Sequence, residues 1–224
     1  MLTEEYTRLQ REKGQETETD VISELESEMN TVQHRQRQAE QQITQPRDTP
    51  ARNVAQEQQI EYVSAPLTLR SNSQIVSEDE VKQIFGLRDN LRPQQYIRND
   101  FEDQGDVVVD RATGLMWQKA GSGVMFYNDA PTYIDTLNRE QFAGYDDWRL
   151  PTIPELMSLL EPEKSSNGLC IDPIFKTHEY EWCWSADRLS EGGSSSPAWL
   201  VYFSNGYVSS YSMGLDGHVR AVRP

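Results

Sequence analysis

Residues 144–152 read Gly-Tyr-Asp-Asp-Trp-Arg-Leu-Pro-Thr, and this stretch decides the fold class. An acidic turn, a large aromatic, an arginine and a helix start follow one another within nine residues. Thr152-Ile-Pro-Glu155 is a capping box, in which a hydroxyl and a carboxylate each satisfy an N–H that the first turn leaves open. Pro154 is tolerated there because a first-turn N–H has no helical acceptor to lose. The spacing predicts a helix through Leu160 and a second one over Asp129–Arg139, with Tyr133, Ile134 and Leu137 inward. Around them lie short strand patterns: Val107–Val109 and Leu115–Gln118 as a hairpin about Arg111–Gly114, then Trp182–Ser185, Trp199–Phe203, Gly206–Ser209 and His218–Val222. Asn205-Gly206 marks a tight turn between two of these. Two helices with a mostly antiparallel sheet predict an α+β domain over residues 96–224.

Working outward, the composition is uneven. All five tryptophans (117, 148, 182, 184 and 199) fall in the C-terminal half, and residues 1–52 are crowded with Gln, Glu and Thr. Trp117, Trp148, Trp182, Trp184 and Leu150 are expected to be largely buried. Upstream, Ile22, Leu25, Met29, Val32, Gln36, Ala39 and Ile43 repeat at alternating spacings of three and four, an a/d seam with one polar position. Residues 1–45 therefore read as a helical arm, either a single solvated helix or a coiled coil through which the chain self-associates. Pro46 and Pro50 end it, and residues 46–76 read as a polar linker with an extended segment at Tyr62–Leu69. Residues 77–95 read as a short helix and lead-in, opened by Ser77-Glu-Asp-Glu80 and ended by Gly86, with Val81, Ile84 and Phe85 on one side.

The net charge is −15, and both parts share it: −6 over residues 1–95 and −9 over residues 96–224. With no Lys/Arg cluster, such a surface repels polyanions, so nucleic acid and heavily sulfated glycans are poor partners. No apolar run approaches membrane-spanning length, and Met1–Gln10 has no signal-type apolar region, so the expectation is a cytoplasmic chain without membrane insertion. Cys170 and Cys183 fit no zinc pattern and read as two buried thiols or one local disulfide. His34, His178 and His218 are scattered, and local context suggests no nucleophile–base pairing. Asp146 and Asp147 supply too few oxygens for calcium. Catalytic residues, metal and cofactor are all expected to be none. Trp148 reads as core and Arg149 as the partner of a nearby carboxylate such as Asp146 or Asp147, with a sugar-stacking pair as the other use. Asp110 and Arg111 read as turn residues.

Five ordered segments resemble the Lcl C-terminal-like domain family. They are Asp110-Arg-Ala-Thr-Gly-Leu-Met-Trp-Gln118, Ala143-Gly-Tyr-Asp-Asp-Trp-Arg-Leu-Pro-Thr-Ile-Pro-Glu-Leu156, Trp182-Cys-Trp-Ser185, Ala198-Trp-Leu-Val-Tyr-Phe-Ser-Asn-Gly206 and Val219-Arg-Ala-Val-Arg223. The resemblance covers about residues 96–224, and a segment near 66–95 often precedes the domain in bacterial members. It implies a C-type-lectin-like fold of the kind shared with formylglycine-generating enzymes, found in adhesin tips and in modules attached to signalling domains. An enzyme of that type needs a closely spaced cysteine pair near the C-terminus, whereas Cys170 and Cys183 lie thirteen apart and precede that region.

The C-terminal strands also resemble the variable proteins of diversity-generating retroelements, whose mutagenesis at template adenines reaches only certain residues from Asn codons. Tyr202, Ser204, Asn205, Tyr207, Ser209, Ser210, Tyr211, Ser212, Gly214, Leu215, Asp216, Gly217 and His218 all fall in that reachable set. Val201, Phe203, Gly206, Val208 and Met213 lie between them as framework. Independently of that history, Tyr gives large contact area at low entropic cost, and Ser, Gly and Asn adapt their hydrogen bonds, as in paratopes. Strand alternation sends Val201, Phe203 and Val208 inward, and Tyr202, Tyr207 and Tyr211 are expected as a solvent-exposed cluster, with Ser210–Gly217 a loop. The leading expectation is a non-enzymatic protein that binds a protein or glycan ligand through these thirteen residues. A glycan-binding adhesin module and an enzyme on the formylglycine-generating scaffold are the alternatives.

Overall fold

The structure, a computed structural model, describes residues 60–63, 66–177, 182–190 and 197–224, all within the unit Glu57–Pro224. The heptad seam Ile22–Ile43 and most of the polar linker lie outside the described residues. In chain order the elements are β1 (Glu61–Val63), β2 (Ile75–Val76), α1 (Val81–Phe85), β3 (Gln95–Ile97), β4 (Phe101–Asp103), β5 (Val107–Asp110) and β6 (Leu115–Gln118). There follow β7 (Met125–Phe126), α2 (Ala130–Arg139), α3 (Ile153–Ser158), β8 (Trp182–Leu189), β9 (Ala198–Tyr202), β10 (Tyr207–Tyr211), β11 (Asp216–Gly217) and β12 (Val222–Arg223). One four-stranded sheet has the order β12-β6-β5-β4 and the other β10-β9-β8-β2; β1–β3 and β7–β11 are two-stranded. The pairing is antiparallel except β1–β3 and β2–β8. The domain is α+β and rich in sheet.

The expected hairpin is β5–β6, in register from Val107↔Gln118 to Asp110↔Leu115. Asp110 holds its turn from within. The fully buried carboxylate accepts from the N–H groups of Asp100 and Ala112 at 3.0 Å, from Asn99 Nδ2 at 2.9 Å and from the Thr113 hydroxyl at 2.7 Å. Four donors satisfy a charge that would otherwise be costly to bury.

The decisive stretch works through two anchors. Asn138, in the last turn of α2, accepts from the Trp148 N–H at 2.7 Å and donates to the Trp148 carbonyl at 2.9 Å. The indole, 2% exposed, donates to the Phe142 carbonyl at 3.0 Å and meets the rings of Phe142 and Tyr145 edge-on. The Thr152–Glu155 capping box forms as expected, and α3 ends at Ser158 with Leu159 and Leu160 still buried. Arg149 pairs with Glu155, at 2.6 and 2.8 Å, rather than with Asp146 or Asp147. Asp147 pairs instead with Arg223, at 3.0 Å from Nη2, and that hydrogen bond holds its carboxyl below the usual range.

Burial continues upstream of residue 96. Val76, Val81, Phe85, Leu87 and Tyr96 share a core with Trp117, Ile153, Leu156 and Trp199. The fully buried Asp187 accepts from both Arg70 nitrogens (2.8 and 2.9 Å) and from the N–H groups of Gln74 and Ile153 (both 2.7 Å). It thus ties the segment before β2 to the first turn of α3. β8 is longer than expected, and its register shifts between Trp184 and Arg188. Ile84 is 49% exposed, not inward with Val81 and Phe85, and Trp182 and Leu150 are half-buried rather than buried. His218–Val222 is not one strand: His218 bridges Cys183, and β12 begins only at Val222. Cys170 and Cys183 are both buried and form no disulfide.

Candidate recognition face on the outer sheet

The sheet β8–β9–β10 separates two cores. Cys183, Trp199, Val201, Phe203 and Val208 lie in one, beside α1 and α3 residues; Trp184, Ala198, Leu200 and Tyr202 lie in the other, beside α2. The pleat produces this division, since successive side chains leave opposite sides of a strand. Every residue of β9 is buried, so both of its faces are covered. On β10, Val208 is fully buried opposite Val201, whereas Tyr207, Ser209 and Tyr211 are half-buried opposite Tyr202, Leu200 and Ala198.

These tyrosines form a cluster, but not a wholly exposed one. Tyr202 is 7% exposed and therefore belongs to the core, contrary to the expectation from alternation. Its ring stacks on Tyr207 with centroids 4.9 Å apart and meets Tyr211 edge-on at 5.9 Å. Trp182 closes the group, at 5.9 Å from Tyr202 and 5.4 Å from Tyr211. Alternation sets the side of a side chain; its covering comes from neighbours on two other strands. Burial pushes the Tyr202 hydroxyl far above the usual phenol range, with further upward contributions from its hydrogen bond to Tyr211 and from the nearby phenols. Burial also raises the Tyr211 hydroxyl, with its hydrogen bond to Tyr202 acting in the opposite direction.

The other candidate positions are distributed around this group. Asn205 is exposed and Ser204 half-buried at the tip of the β9–β10 hairpin, where Gly206 takes φ +71°. Ser212, Gly214 and Leu215 surround the buried Met213 at the opposite end of β10, roughly 15 Å away at the rise of a five-residue strand. Ser210 lies on the other side of the strand, opposite Trp199. His218 exchanges backbone hydrogen bonds with β8, donating to Trp182 and accepting from Trp184. Ser210–Gly217 is not a continuous loop: Ser210 and Tyr211 end β10, and Asp216 and Gly217 form β11.

Gly217 is buried framework. A Cβ there would sit 2.4 Å from the Trp182 ring and 2.6 Å from Trp184 Nε1. Its lack of a side chain lets the β7–β11 ribbon lie on those indoles. Met125, opposite Gly217, packs into the same core, while Asp216 and its partner Phe126 are exposed. Phe126 is 48% exposed and the nearby Val124 65%. Sequence reasoning passed over Trp182 as core and did not mark Val124 or Phe126. Only the Gly-Ser-Gly run before Val124 hinted at an exposed segment.

Among the described residues there is no cluster of three or more His, Cys, Asp or Glu side chains suited to a metal ion, and no helix is long and apolar enough to cross a membrane. Burial raises the Cys170 thiol above its ordinary range, with the Arg92 guanidinium acting in the opposite direction.

A comparison with curated proteins found no match. The profile of the Lcl C-terminal domain matches residues 106–223, more than half of the chain. The match takes in the β5–β6 hairpin, the Trp148 anchor, the capping box, the outer sheet and β12; this chain belongs to the Lcl C-terminal domain family.

Proposed function

We propose that this protein is a non-enzymatic recognition protein, and that its domain is a C-type-lectin-like scaffold carrying a ligand-binding face on β10 and the turns at its two ends. One observation carries the reading: Tyr207, Ser209 and Tyr211 are half-exposed on one side of a strand whose neighbour β9 is buried throughout. Tyrosines held this way combine large contact area with little remaining freedom, so binding orders few groups. The α+β composition, with mixed and antiparallel sheets, supports the lectin-like scaffold. Buried Cys170 and Cys183, one with a raised thiol, suit packing better than nucleophilic chemistry. The ligand is a protein or a glycan presented by another molecule.

Diversification by a retroelement is the second part of the reading. It is supported by the reachable set: Tyr207, Ser209, Tyr211 and Asp216 belong to it and hold partly or fully exposed positions, while Val201, Phe203, Val208 and Met213 between them are buried. Tyr202 and Gly217 are the exceptions: both lie in the set yet are buried, Tyr202 within the core and Gly217 where a side chain would clash. Sequencing the neighbouring DNA tests this directly. The expected result is a near-repeat of the segment encoding Trp199–Arg223, differing at adenines, beside a reverse transcriptase gene. Identical or absent repeats would remove the diversification claim and leave the binding claim standing.

A further inference from the structure

The ribbon β7–β11 lies on the same side of the outer sheet as the tyrosine cluster. It touches Trp182 through Gly217, and Trp182 in turn contacts Tyr211 at 5.4 Å between centroids. The ribbon's outward side carries Phe126 and Asp216 as a cross-strand pair, with Val124 two residues from Phe126. Adjoining exposed apolar side chains mark interaction sites, and Val124 and Phe126 lie on a ribbon joined to the tyrosine cluster through Gly217 and Trp182. Residues 121–134 and 199–219, which build the ribbon and the face, contain Asp129 and Asp216, both exposed, and no Lys or Arg. The exposed charge on these segments themselves is acidic, while the half-buried Arg188 of β8 acts on Tyr127.

Resting on the binding reading above, we infer that the face extends over the ribbon, and that its partner is a protein segment presenting an apolar side chain flanked by lysine or arginine. The apolar side chain packs on Phe126 and Val124, and the cation meets Asp216. Two observations favour a protein over a glycan. Val124 and Phe126 offer no hydrogen bonds to hydroxyls, and complementarity to an acidic rim calls for a cationic partner, which neutral sugars are not. Sulfated sugars carry the wrong sign. The inference also places two anchors outside the Tyr202–His218 segment, Phe126 on β7 and Val124 just before it, which diversification of that segment would leave unchanged.

The test is selection of a displayed library of random linear peptides on the full chain, alongside a glycan array. The expected result is enrichment of peptides with an aromatic or branched apolar residue next to Lys or Arg. Phe126→Ser should weaken their binding at least about tenfold with the thermal transition retained. Val124→Ser, at a 65% exposed site, serves if the first variant does not fold. Asp216→Lys should select acidic peptides in place of basic ones, an outcome that general loss of structure would not produce. If enriched peptides depend on Tyr207 and Tyr211 but are indifferent to Phe126, Val124 and Asp216, the ribbon is not part of the site and only this inference falls. Glycan capture without peptide enrichment also overturns it while leaving the binding reading in place. No capture of either kind would overturn both.

Discussion

The two faces of the β8–β9–β10 sheet follow one alternation rule and end in different states. On the first, Trp199, Val201 and Val208 are at most 3% exposed, closed over by α1, α3 and the lead-in. On the second, Leu200 and Tyr202 are buried but Tyr207, Ser209 and Tyr211 are not. The pleat is identical; the covering differs. A short ribbon lies over the β8 end of the second face and leaves the β10 edge open, so exposure rises from β8's Trp184 toward β10. A face covered along its whole width behaves as core, whereas the second face, covered by α2 and the ribbon over β8 and β9 alone, leaves its β10 side chains half-exposed.

The largest predicted effect is on the closed side. Trp199 meets Phe85 edge-on at 5.8 Å and donates to the Val76 carbonyl at 3.1 Å, so Trp199→Ala should cost about 3–5 kcal/mol in urea unfolding. Trp148→Ala, which strips the Asn138 anchor of its aromatic load, should cost a similar amount. A loss below about 1 kcal/mol for Trp199→Ala would mean the closed face is not what holds the domain together; the same result for Trp148→Ala would say so of the core beside α2.

Next comes the ribbon contact. Gly217→Ala forces a methyl into the Trp182 ring and should destabilise by about 1–3 kcal/mol. It should also raise the accessibility of Trp182, read as a red shift in tryptophan emission. An unchanged spectrum and melting curve would show that the ribbon does not rest on Trp182.

A smaller effect separates Tyr202 from its exposed neighbours. Its folded-state pKa is raised by burial above the unfolded value of about 10. The neutral form is therefore favoured by folding, and the associated stability is intact below about pH 10 and is lost as pH climbs beyond it. Tyr202→Phe should flatten that alkaline loss while costing about 1 kcal/mol at neutral pH from the lost hydrogen bond. Equal alkaline slopes for the variant and the unmodified chain would place Tyr202 in water.

How much of this was legible in the sequence depends on range. The β5–β6 hairpin, the Thr152–Glu155 cap and the inward Ile134 and Leu137 follow from local spacing, and each is present. The Asp187–Arg70 pair was invisible because its partners are 117 residues apart and neither sits in a recognisable pattern. The two-residue strands β2, β7 and β11 are too short to carry periodicity. Tyr202 was misplaced for the same reason: its pleat side is local information, but the covering Trp182 and Tyr211 are not. Phe126 was missed because an aromatic inside the apolar run Val124–Tyr127 reads as core until its strand's outer side is seen.

The central claim, that Tyr207 and Tyr211 serve recognition rather than the core, rests most directly on the binding of a Tyr207→Ala, Tyr211→Ala variant. Tyr202 is kept, since removing it would disturb the core and blur the result. The measurement is the affinity of this variant for ligands selected on the unmodified full chain from displayed-peptide and glycan libraries, with its melting temperature recorded alongside. The account predicts an affinity loss of about thirtyfold or more, equivalent to about 2 kcal/mol or more, in a chain that still unfolds cooperatively. Binding retained within about threefold by the folded variant, or a chain that no longer folds, would contradict it.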